Sequence, residues 1–499
     1  MSLPLPHELT TPLSTTAPTP IRFGFPQAAI DRIAAQLADA RLPSQPILDG
    51  VGWQYGTDLS KLRQLVDAWS KGNPAGAGAR GSASADGSAG ASGGSGGSAQ
   101  GFAAWWRTIE GRINETAQHY LVEIEGLRIH FQMRKSESPN AIPLIFSHGW
   151  PGSFYEAHKL FPLLTEDSSP SFHLVVPSLP GYGLSSAQTK PDWTLLDTAR
   201  VFNKLMVSIL GFSSYAAHGG DLGALVVRGL ARNKECTAFH SNFAPPVNIP
   251  PWAYPALGPT FLDWSSNISD TALSLVANPH EIRLIKASIR YRKTGSAYAL
   301  EHSTKPATLG YALFDNPIGI LSWLLQCFHE WSDPRAPAFH DGHAHSRTSD
   351  QIPGSSGIVQ GDGVGKKGSS AVRLGVSHSS EPMNRTSAIT DETILVNTTI
   401  YALTDTVHTS FLPYYESEHI WGSLGRDKEW TRDLRDKPYG HSSFPYELLG
   451  GPRSWIPRTG VNLVWYREHN EGGHFAALDN PEGLARDLKD FFSRFYSPA

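Results

Sequence analysis

The sequence is poor in cysteine and in charge of either sign, and each shortage excludes a class of protein. Its 499 residues include only two cysteines, Cys236 and Cys327, which excludes a disulfide scaffold and favours two buried, reduced thiols over a single bridge. Lysine and arginine (42) nearly balance aspartate and glutamate (46), so the net charge of -4 gives no excess of positive charge for binding nucleic acid. A neutral small-molecule substrate fits this balance better.

Long apolar runs are also missing. No stretch approaches the roughly 20 apolar residues of a spanning helix, and the opening residues "MSLPLPHELTTPL" lack the basic and apolar regions of a secretory signal. We therefore expect a soluble, cytoplasmic protein without a membrane anchor.

Composition and pattern divide the chain into four segments. Two of them carry a low-complexity insert whose composition cannot bury enough apolar surface to order itself. The predicted organisation is a helical and aromatic segment at 1–118 with a Gly/Ser/Ala-rich insert at 72–100, a strand-rich segment at 119–245, an aromatic, helix-rich segment at 246–420 with an insert at about 333–387, and a returning sheet pattern at 421–499.

The strand-rich segment predicts the fold class. "YLVEIEGLRIHFQM" alternates on either side of Glu125 and Gly126, which is typical of a hairpin. The apolar runs in "IPLIFSHGWPGS", "FHLVVPSLPGYGLS" and "SSYAAHGGDLGALVVRGLARN" each enter a glycine-containing loop, and the third continues into a helix. Unbroken apolar strands separated by helical stretches indicate an α/β protein with a mostly parallel sheet covered on both faces.

The stretch "HGGDLG" places Asp221 between Gly219 and Gly223 at the end of an apolar strand. Small neighbours permit a sharp strand-to-helix turn in which the central residue has a positive φ, the arrangement called a nucleophile elbow. An aspartate in this position can attack carbon and form an ester. An aspartate that caps the following helix is an equally good interpretation of these six residues taken alone.

Three further features favour the nucleophile. "HGWPGS" follows an apolar strand, so the backbone N–H groups of Trp150 and Leu222 can form an oxyanion hole. "EGGHFAALDNPE" places His474 in a glycine loop after the last strand, where it can act as a general base. "FPYELLGGPRSW" offers Glu447 as the acid that orients this histidine. The order nucleophile, acid, histidine is that of the α/β-hydrolases.

Taken together, the motifs "HGWPGS", "PSLPGYGLS", "GGDLG", "STKPATLGYALFDNPIGILSW", "FPYELL" and "GGHFAALDNPE" resemble the microsomal-type epoxide hydrolase family, and soluble fungal members above all. The resemblance covers most of the chain outside the two inserts. It implies an α/β-hydrolase fold with an N-terminal meander that wraps the core and an inserted, mainly helical cap. One departure is Leu222, since many members carry tryptophan directly after the nucleophile.

The resemblance also implies roles for cap residues. Tyr298 matches the first lid tyrosine and Tyr414 the second, although the adjacent Tyr415 leaves the second assignment open. In that family the two phenols donate protons to the epoxide oxygen, the aspartate forms a covalent ester, and water activated by the histidine releases a vicinal diol. No metal or other cofactor is implied. The implied substrate is a small hydrophobic epoxide, in detoxification or aromatic hydrocarbon catabolism, and a homodimer is plausible for this family.

Two other functions stay open from the residues alone. A haloalkane or haloacid dehalogenase also uses an aspartate nucleophile on this fold, but commonly holds the halide with a tryptophan N–H beside the nucleophile, which Leu222 cannot supply. A catalytically silent, ligand-binding member is the second alternative, and the complete set Asp221, Glu447 and His474 speaks against it.

Overall fold

The computed structural model describes residues 3–9, 12–74, 96–166, 169–245, 273–275, 277–339, 389–417 and 433–498, without the side chains of 96–100. Most of the two predicted inserts and residues 246–272 of the predicted cap lie outside this description. Within the described ranges, no helix combines the length and the apolar character needed to cross a bilayer.

Nine strands in the described part of the chain form one sheet in the order β1-β2-β3-β5-β4-β6-β7-β8-β9. The strands are β1 (Thr19–Ile21), β2 (Gln118–Ile124), β3 (Leu127–Arg134), β4 (Ile142–Ser147), β5 (Phe172–Pro177), β6 (Tyr215–Gly219), β7 (Cys236–Ser241), β8 (Leu434–Ser443) and β9 (Val461–Glu468). The strands from β5 through β4 to β9 are parallel to their neighbours, which confirms the predicted mostly parallel sheet.

The first three strands form an antiparallel edge. Glu125 and Gly126, at φ 54° and 79°, make the tight turn between β2 and β3, so the predicted hairpin is confirmed. The strand β1 was not predicted, and it pairs with β2 in the register Thr19 to Leu121. The N-terminal segment therefore adds a strand to the sheet in addition to wrapping around it.

Helices cover the sheet and build the cap. They are α1 (Gln27–Ala38), α2 (Leu59–Ser70), α3 (Gly96–Thr116), α4 (Leu160–Thr165), α5 (Leu195–Lys204), α6 (Leu222–Leu230), α7 (Pro279–Arg290), α8 (Ala297–Thr304), α9 (Pro306–Leu313), α10 (Pro317–Trp331), α11 (Asp391–Thr404), α12 (Leu412–Glu416), α13 (Ala476–Asp479) and α14 (Pro481–Phe495). Against the sheet, α5 packs with α6, and α4 packs with α14. The cap consists of α7 to α12.

The N-terminal segment is anchored to the loop that follows β4. The buried ring of Phe23 lies 6.5 Å from the ring of Trp106 in α3 and 5.4 Å from that of Phe154 in the loop. Edge-to-face pairs of this kind add to the stabilisation that comes from burying apolar area. This packing supports the turn at Trp150, which lies four residues before Phe154.

At each insert, residues before it are in contact with residues after it, and we call each of these contacts a neck. A Cβ atom on Gly72 would lie 2.0 Å from the carbonyl oxygen of Gly101 in α3, so the two backbones are in contact. At the second insert, the Ala338 N–H donates to the Ile389 carbonyl at 3.1 Å. Each neck joins parts of the chain that are separated by an insert.

The predicted insert boundaries need correction. Helix α3 begins at Gly96, inside the range 72–100. The second insert was predicted to begin at about Asp333, but Asp333 is buried and accepts hydrogen bonds from the Arg335 side chain and the Gly472 N–H. The polar run "SDPRAPAF" looks solvated in the sequence because Gly472, the partner that ties it to the folded body, lies 139 positions later in the chain.

Candidate active site

The turn between β6 and α6 has the strained geometry of a nucleophile elbow. Asp221 has φ 51° and ψ -128°, a conformation that is costly for a residue with a side chain. A Cβ on Gly223 would lie 2.0 Å from the Ser147 carbonyl oxygen, and one on Gly219 would lie 2.4 Å from the Gly223 oxygen, so both positions require glycine. The Asp221 side chain makes no capping hydrogen bond to α6. The helix-cap interpretation of this aspartate is therefore wrong.

The loop after β4 faces the Asp221 carboxylate. The Trp150 N–H donates to Asp221 Oδ1 at 2.9 Å. A Cβ on Gly149 would lie 2.3 Å from the same oxygen, so the motif can approach this closely only with glycine there. Leu222 is the first residue of α6, and the N–H groups at a helix start have no partner within the helix.

His474 and Glu447 complete a hydrogen-bonded line that ends at Asp221. Glu447 Oε1 and Oε2 lie 2.8 and 3.0 Å from His474 Nδ1, and His474 Nε2 lies 3.1 Å from Asp221 Oδ2. Glu447 is only 3% exposed and stands in a loop after β8, which excludes a place at the start of a solvent-exposed helix. Its Oε1 also accepts from the Leu448 and Leu449 N–H groups, which fixes the orientation of the carboxylate.

The two carboxylates keep the imidazole protonated. Burial by itself would lower the pKa of His474, but the charge of Glu447 and the hydrogen bond with Asp221 outweigh it and raise the pKa to about 10. The backbone N–H of His474 donates to the Trp331 carbonyl at 2.8 Å, which joins the histidine loop to the end of α10 in the cap. The resting site therefore contains an imidazolium between two carboxylates.

The cap places two tyrosines opposite the elbow. The ring of Tyr298 stacks on that of Trp150, with centroids 4.9 Å apart, and lies 5.9 Å from the ring of Tyr414. Tyr414 is 4% exposed, whereas Tyr415 is 51% exposed, so Tyr414 is the one that faces the site. Tyr291 donates to the Tyr298 hydroxyl at 3.0 Å. Burial raises the pKa of both Tyr298 and Tyr414 well above the ordinary value for a phenol, so both are neutral donors.

Glu156 is a site residue that the sequence did not predict. It lies in the loop after β4 and lines a small cavity with Asp221 and His474. Burial raises the pKa of Glu156 to about 8, against the opposing charge of His474 and with a further rise from Asp221. In the sequence, Glu156 looks like an ordinary residue of a short helical turn, and only its six-residue distance from Trp150 points to the site.

Metal ligands are not grouped anywhere in the part of the chain that the structure describes. Within the described ranges, no cluster of three or more His, Cys, Asp and Glu side chains could hold a metal ion. Cys236 and Cys327 are buried and unbridged, as predicted.

Comparisons with known proteins point to one family. The family description "Epoxide hydrolase N terminus" matches residues 18–157, and "alpha/beta hydrolase fold" matches residues 142–280. A protein assigned as an epoxide hydrolase in Dothistroma septosporum (strain NZE10 / CBS 128990) is 30% identical over 396 residues, which cover 77% of this chain and 75% of that protein. Epoxide hydrolase 1 of Oryctolagus cuniculus is 29% identical over 401 residues, with coverages of 78% and 76%.

A solved structure extends this likeness to the whole fold. The Aspergillus niger epoxide hydrolase superimposes with a TM-score of 0.67 at 28% identity, covering 97% of this chain and 98% of that one. The predicted resemblance, including its fungal character, is thus confirmed. The chain belongs to the epoxide hydrolase family and has the α/β-hydrolase fold.

Proposed function

We propose that this enzyme converts an epoxide and water to a vicinal diol through an ester on Asp221. His474 is the general base, Glu447 orients it, and Tyr298 and Tyr414 protonate the epoxide oxygen. One observation carries the proposal: the hydrogen-bonded line Glu447–His474–Asp221 ends at a strained turn that faces two buried, neutral phenols. This arrangement supplies a nucleophile, a base and proton donors.

In the first step, we assign Asp221 Oδ2 as the oxygen that attacks an epoxide carbon, which leaves Oδ1 on the Trp150 N–H and gives up the contact of Oδ2 with His474 Nε2. The new carbon–oxygen bond forms the ester as the ring carbon–oxygen bond breaks. The leaving oxygen takes its proton from Tyr298 or Tyr414, and hydrogen bonding from a phenol lowers the barrier because negative charge develops on that oxygen. The product of this step is a hydroxyalkyl ester and a tyrosinate.

The resting imidazolium balances the proton count. Ester formation removes the negative charge of Asp221, so one of the two groups that raise the pKa of His474 is lost. The imidazolium can then release its proton, which restores the tyrosine. His474 thereby becomes a neutral base only after the ester has formed.

In the second step, His474 Nε2 takes a proton from water as the water oxygen bonds to Cγ of Asp221. The tetrahedral oxyanion develops at Oδ1, where the Trp150 N–H already donates, and we assign the Leu222 N–H as its second donor. Collapse breaks the Cγ–Oδ2 bond, and the departing alkoxide takes the second water hydrogen from the new carboxyl group. The diol leaves with Oδ2, and the water oxygen stays in the carboxylate. The proton gained from water remains on His474, and the resting state returns.

The aromatic side chains around the elbow favour a hydrophobic epoxide as substrate. Each ring in this cluster has its centroid within 6.3 Å of that of at least one other ring, and the members are Trp150, Trp331, Phe411 and the two cap tyrosines. Such aromatic walls favour apolar substituents. The homodimer implied by the resemblance and the cytoplasmic location expected from the sequence stay predictions.

Trapping the ester tests the mechanism. We expect His474→Gln protein, mixed with styrene oxide, to gain the mass of one epoxide on the peptide that contains Asp221, whereas Asp221→Asn protein gains none. His173→Gln, a change at a histidine outside the site, is the matched control and should turn over without accumulating an adduct. Absence of the adduct in His474→Gln protein would refute the two-step mechanism.

The products distinguish the dehalogenase alternative. Wild-type protein should release diol from styrene oxide and no halide from a haloalkane.

In a single turnover in ¹⁸O-water, the label should enter Asp221 first and the diol only in later turnovers, because the diol leaves with the original Oδ2. Direct entry of label into the first diol would mean that water attacks the epoxide without an ester.

A further inference from the structure

The small cavity on the inner side of the elbow contains polar groups that the proposed reaction does not yet use. Its polar lining consists of Glu156, His218, Asp221, Asn242 and His474, and the rest is mainly apolar. His218 is the last but one residue of β6, and it is 1% exposed. What its imidazole can do in the cavity depends on which ring nitrogen carries the proton.

A buried chain of hydrogen bonds settles that question, starting at Asp487. Burial opposes the ionisation of Asp487, but hydrogen bonds from His469 and Ser442 and the charge of Arg467 lower its pKa. The Arg467 guanidinium lies 2.6 Å from Asp487 Oδ1. An ionised carboxylate only accepts, so the Ser442 hydroxyl must donate to it.

The proton positions then follow one after another. Because the Ser442 hydroxyl donates to the carboxylate, its oxygen accepts from His240 Nε2 at 3.1 Å. With the proton on Nε2, the neutral His240 ring has a lone pair on Nδ1, which lies 3.0 Å from His218 Nδ1. His218 therefore carries its proton on Nδ1. Its Nε2 has a lone pair and no hydrogen-bond partner among the described protein atoms.

We propose that His218 Nε2 and His474 Nε2 together hold the hydrolytic water in this cavity, with His218 as a positioning residue. The inference rests on the proposed ester mechanism. A water that donates one hydrogen to each nitrogen turns a lone pair away from both, toward Cγ of Asp221. Burial lowers the pKa of His218 to about 3, so the ring stays a neutral acceptor throughout the cycle.

Two substitutions at His218 test the proposal. His218→Phe keeps the ring shape and removes the acceptor, while His218→Gln can present an amide oxygen in its place. In single-turnover kinetics, we expect His218→Phe to leave the rate of ester formation within about twofold and to slow ester hydrolysis by about 10- to 100-fold. His218→Gln should recover part of the loss.

The matched control is His130→Phe, since His130 is another buried histidine with a histidine neighbour on the sheet. It should lower stability without changing the ratio of the two rates. If His218→Phe slows both steps alike, or neither, the positioning role is wrong. If the ester still accumulates in His474→Gln protein, such a result for His218→Phe would refute the role of His218 and leave the two-step mechanism intact.

A second measurement does not depend on the folding of His218→Phe. A crystal structure of the ester trapped in Glu447→Gln protein, which keeps both ring nitrogens and should hydrolyse the ester slowly, should contain a water within hydrogen-bonding distance of His218 Nε2. Clear density for the ester without that water would overturn the proposal.

Discussion

Replacing Glu447 by glutamine isolates the charge of the orienting acid from its geometry. Glu447 Oε1 accepts from His474 Nδ1 at 2.8 Å and from the Leu448 and Leu449 N–H groups at 2.8 and 3.2 Å. A glutamine whose amide oxygen occupies the Oε1 position keeps all three of these hydrogen bonds. The negative charge beside the imidazole is lost, together with the 3.0 Å contact between Oε2 and His474 Nδ1.

The structure indicates the size of the effect. The rise in the pKa of His474 from 6.5 to about 10 corresponds to about 5 kcal/mol in favour of the imidazolium. Glu447 makes the largest contribution that raises it, and once the ester has formed it is the remaining carboxylate partner of the ring. We expect Glu447→Gln to lower the pKa of His474 and, because a weaker base activates water less well, to slow ester hydrolysis by roughly 100-fold.

Stopped-flow tryptophan fluorescence separates the two steps, because the Trp150 indole stacks on the ring of the proton donor Tyr298. Ester formation should change by less than about fivefold, since the nucleophile itself is untouched, and the ester should accumulate. Glu166→Gln, at an exposed ion pair with Arg134, is the control for a glutamate-to-glutamine change. Hydrolysis in Glu447→Gln protein within threefold of the wild-type rate would refute the electrostatic reasoning.

Four other substitutions have defined outcomes. Tyr298→Phe and Tyr414→Phe should each slow ester formation by about 10- to 100-fold in single-turnover experiments, while the exposed Tyr415→Phe should not. Gly223→Ala should lower the free energy of unfolding by about 3 kcal/mol in urea titrations, because its methyl group would lie 2.0 Å from a carbonyl oxygen of β4. Burial raises the pKa of Glu156 to about 8, so above that pH a carboxylate stands beside the position where the tetrahedral oxyanion of the second step develops. Ester hydrolysis should therefore decline above pH 8, and Glu156→Gln should remove the decline from the pH profile.

Local chemistry made much of this arrangement predictable from the sequence. The turn at Asp221 needs glycine on both sides, and a steric requirement of that kind leaves a readable motif. His474 follows β9, whose apolar pattern is plain, whereas β8 before Glu447 reads "LRDKPYGHSS" and gives no such pattern. Parallel strands bring the loops at their carboxyl ends together. The two side chains do lie together in the structure, 2.8 Å apart.

Other features depend on contacts between distant residues, which leave no local pattern. The strand β1 is three residues long and exists because β2 offers an edge to pair with. The choice between Tyr414 and Tyr415 depends on which face of α12 meets the core. The tautomer of His218 is set through Ser442 and Asp487, which lie more than 200 positions later in the chain.

The necks at the two inserts have a consequence for how this chain can vary. Gly72 touches Gly101, and Ala338 is hydrogen-bonded to Ile389, so the ordered segments that flank each insert are in contact with each other. Doubling the length of such a loop costs only about 0.6 kcal/mol in closure entropy. Tyr298 and Tyr414 lie on opposite sides of the second neck, and their separation does not depend on the number of residues between its ends. A tag or a whole domain could therefore be inserted between the two ends of either neck while the distance between the two phenols is preserved.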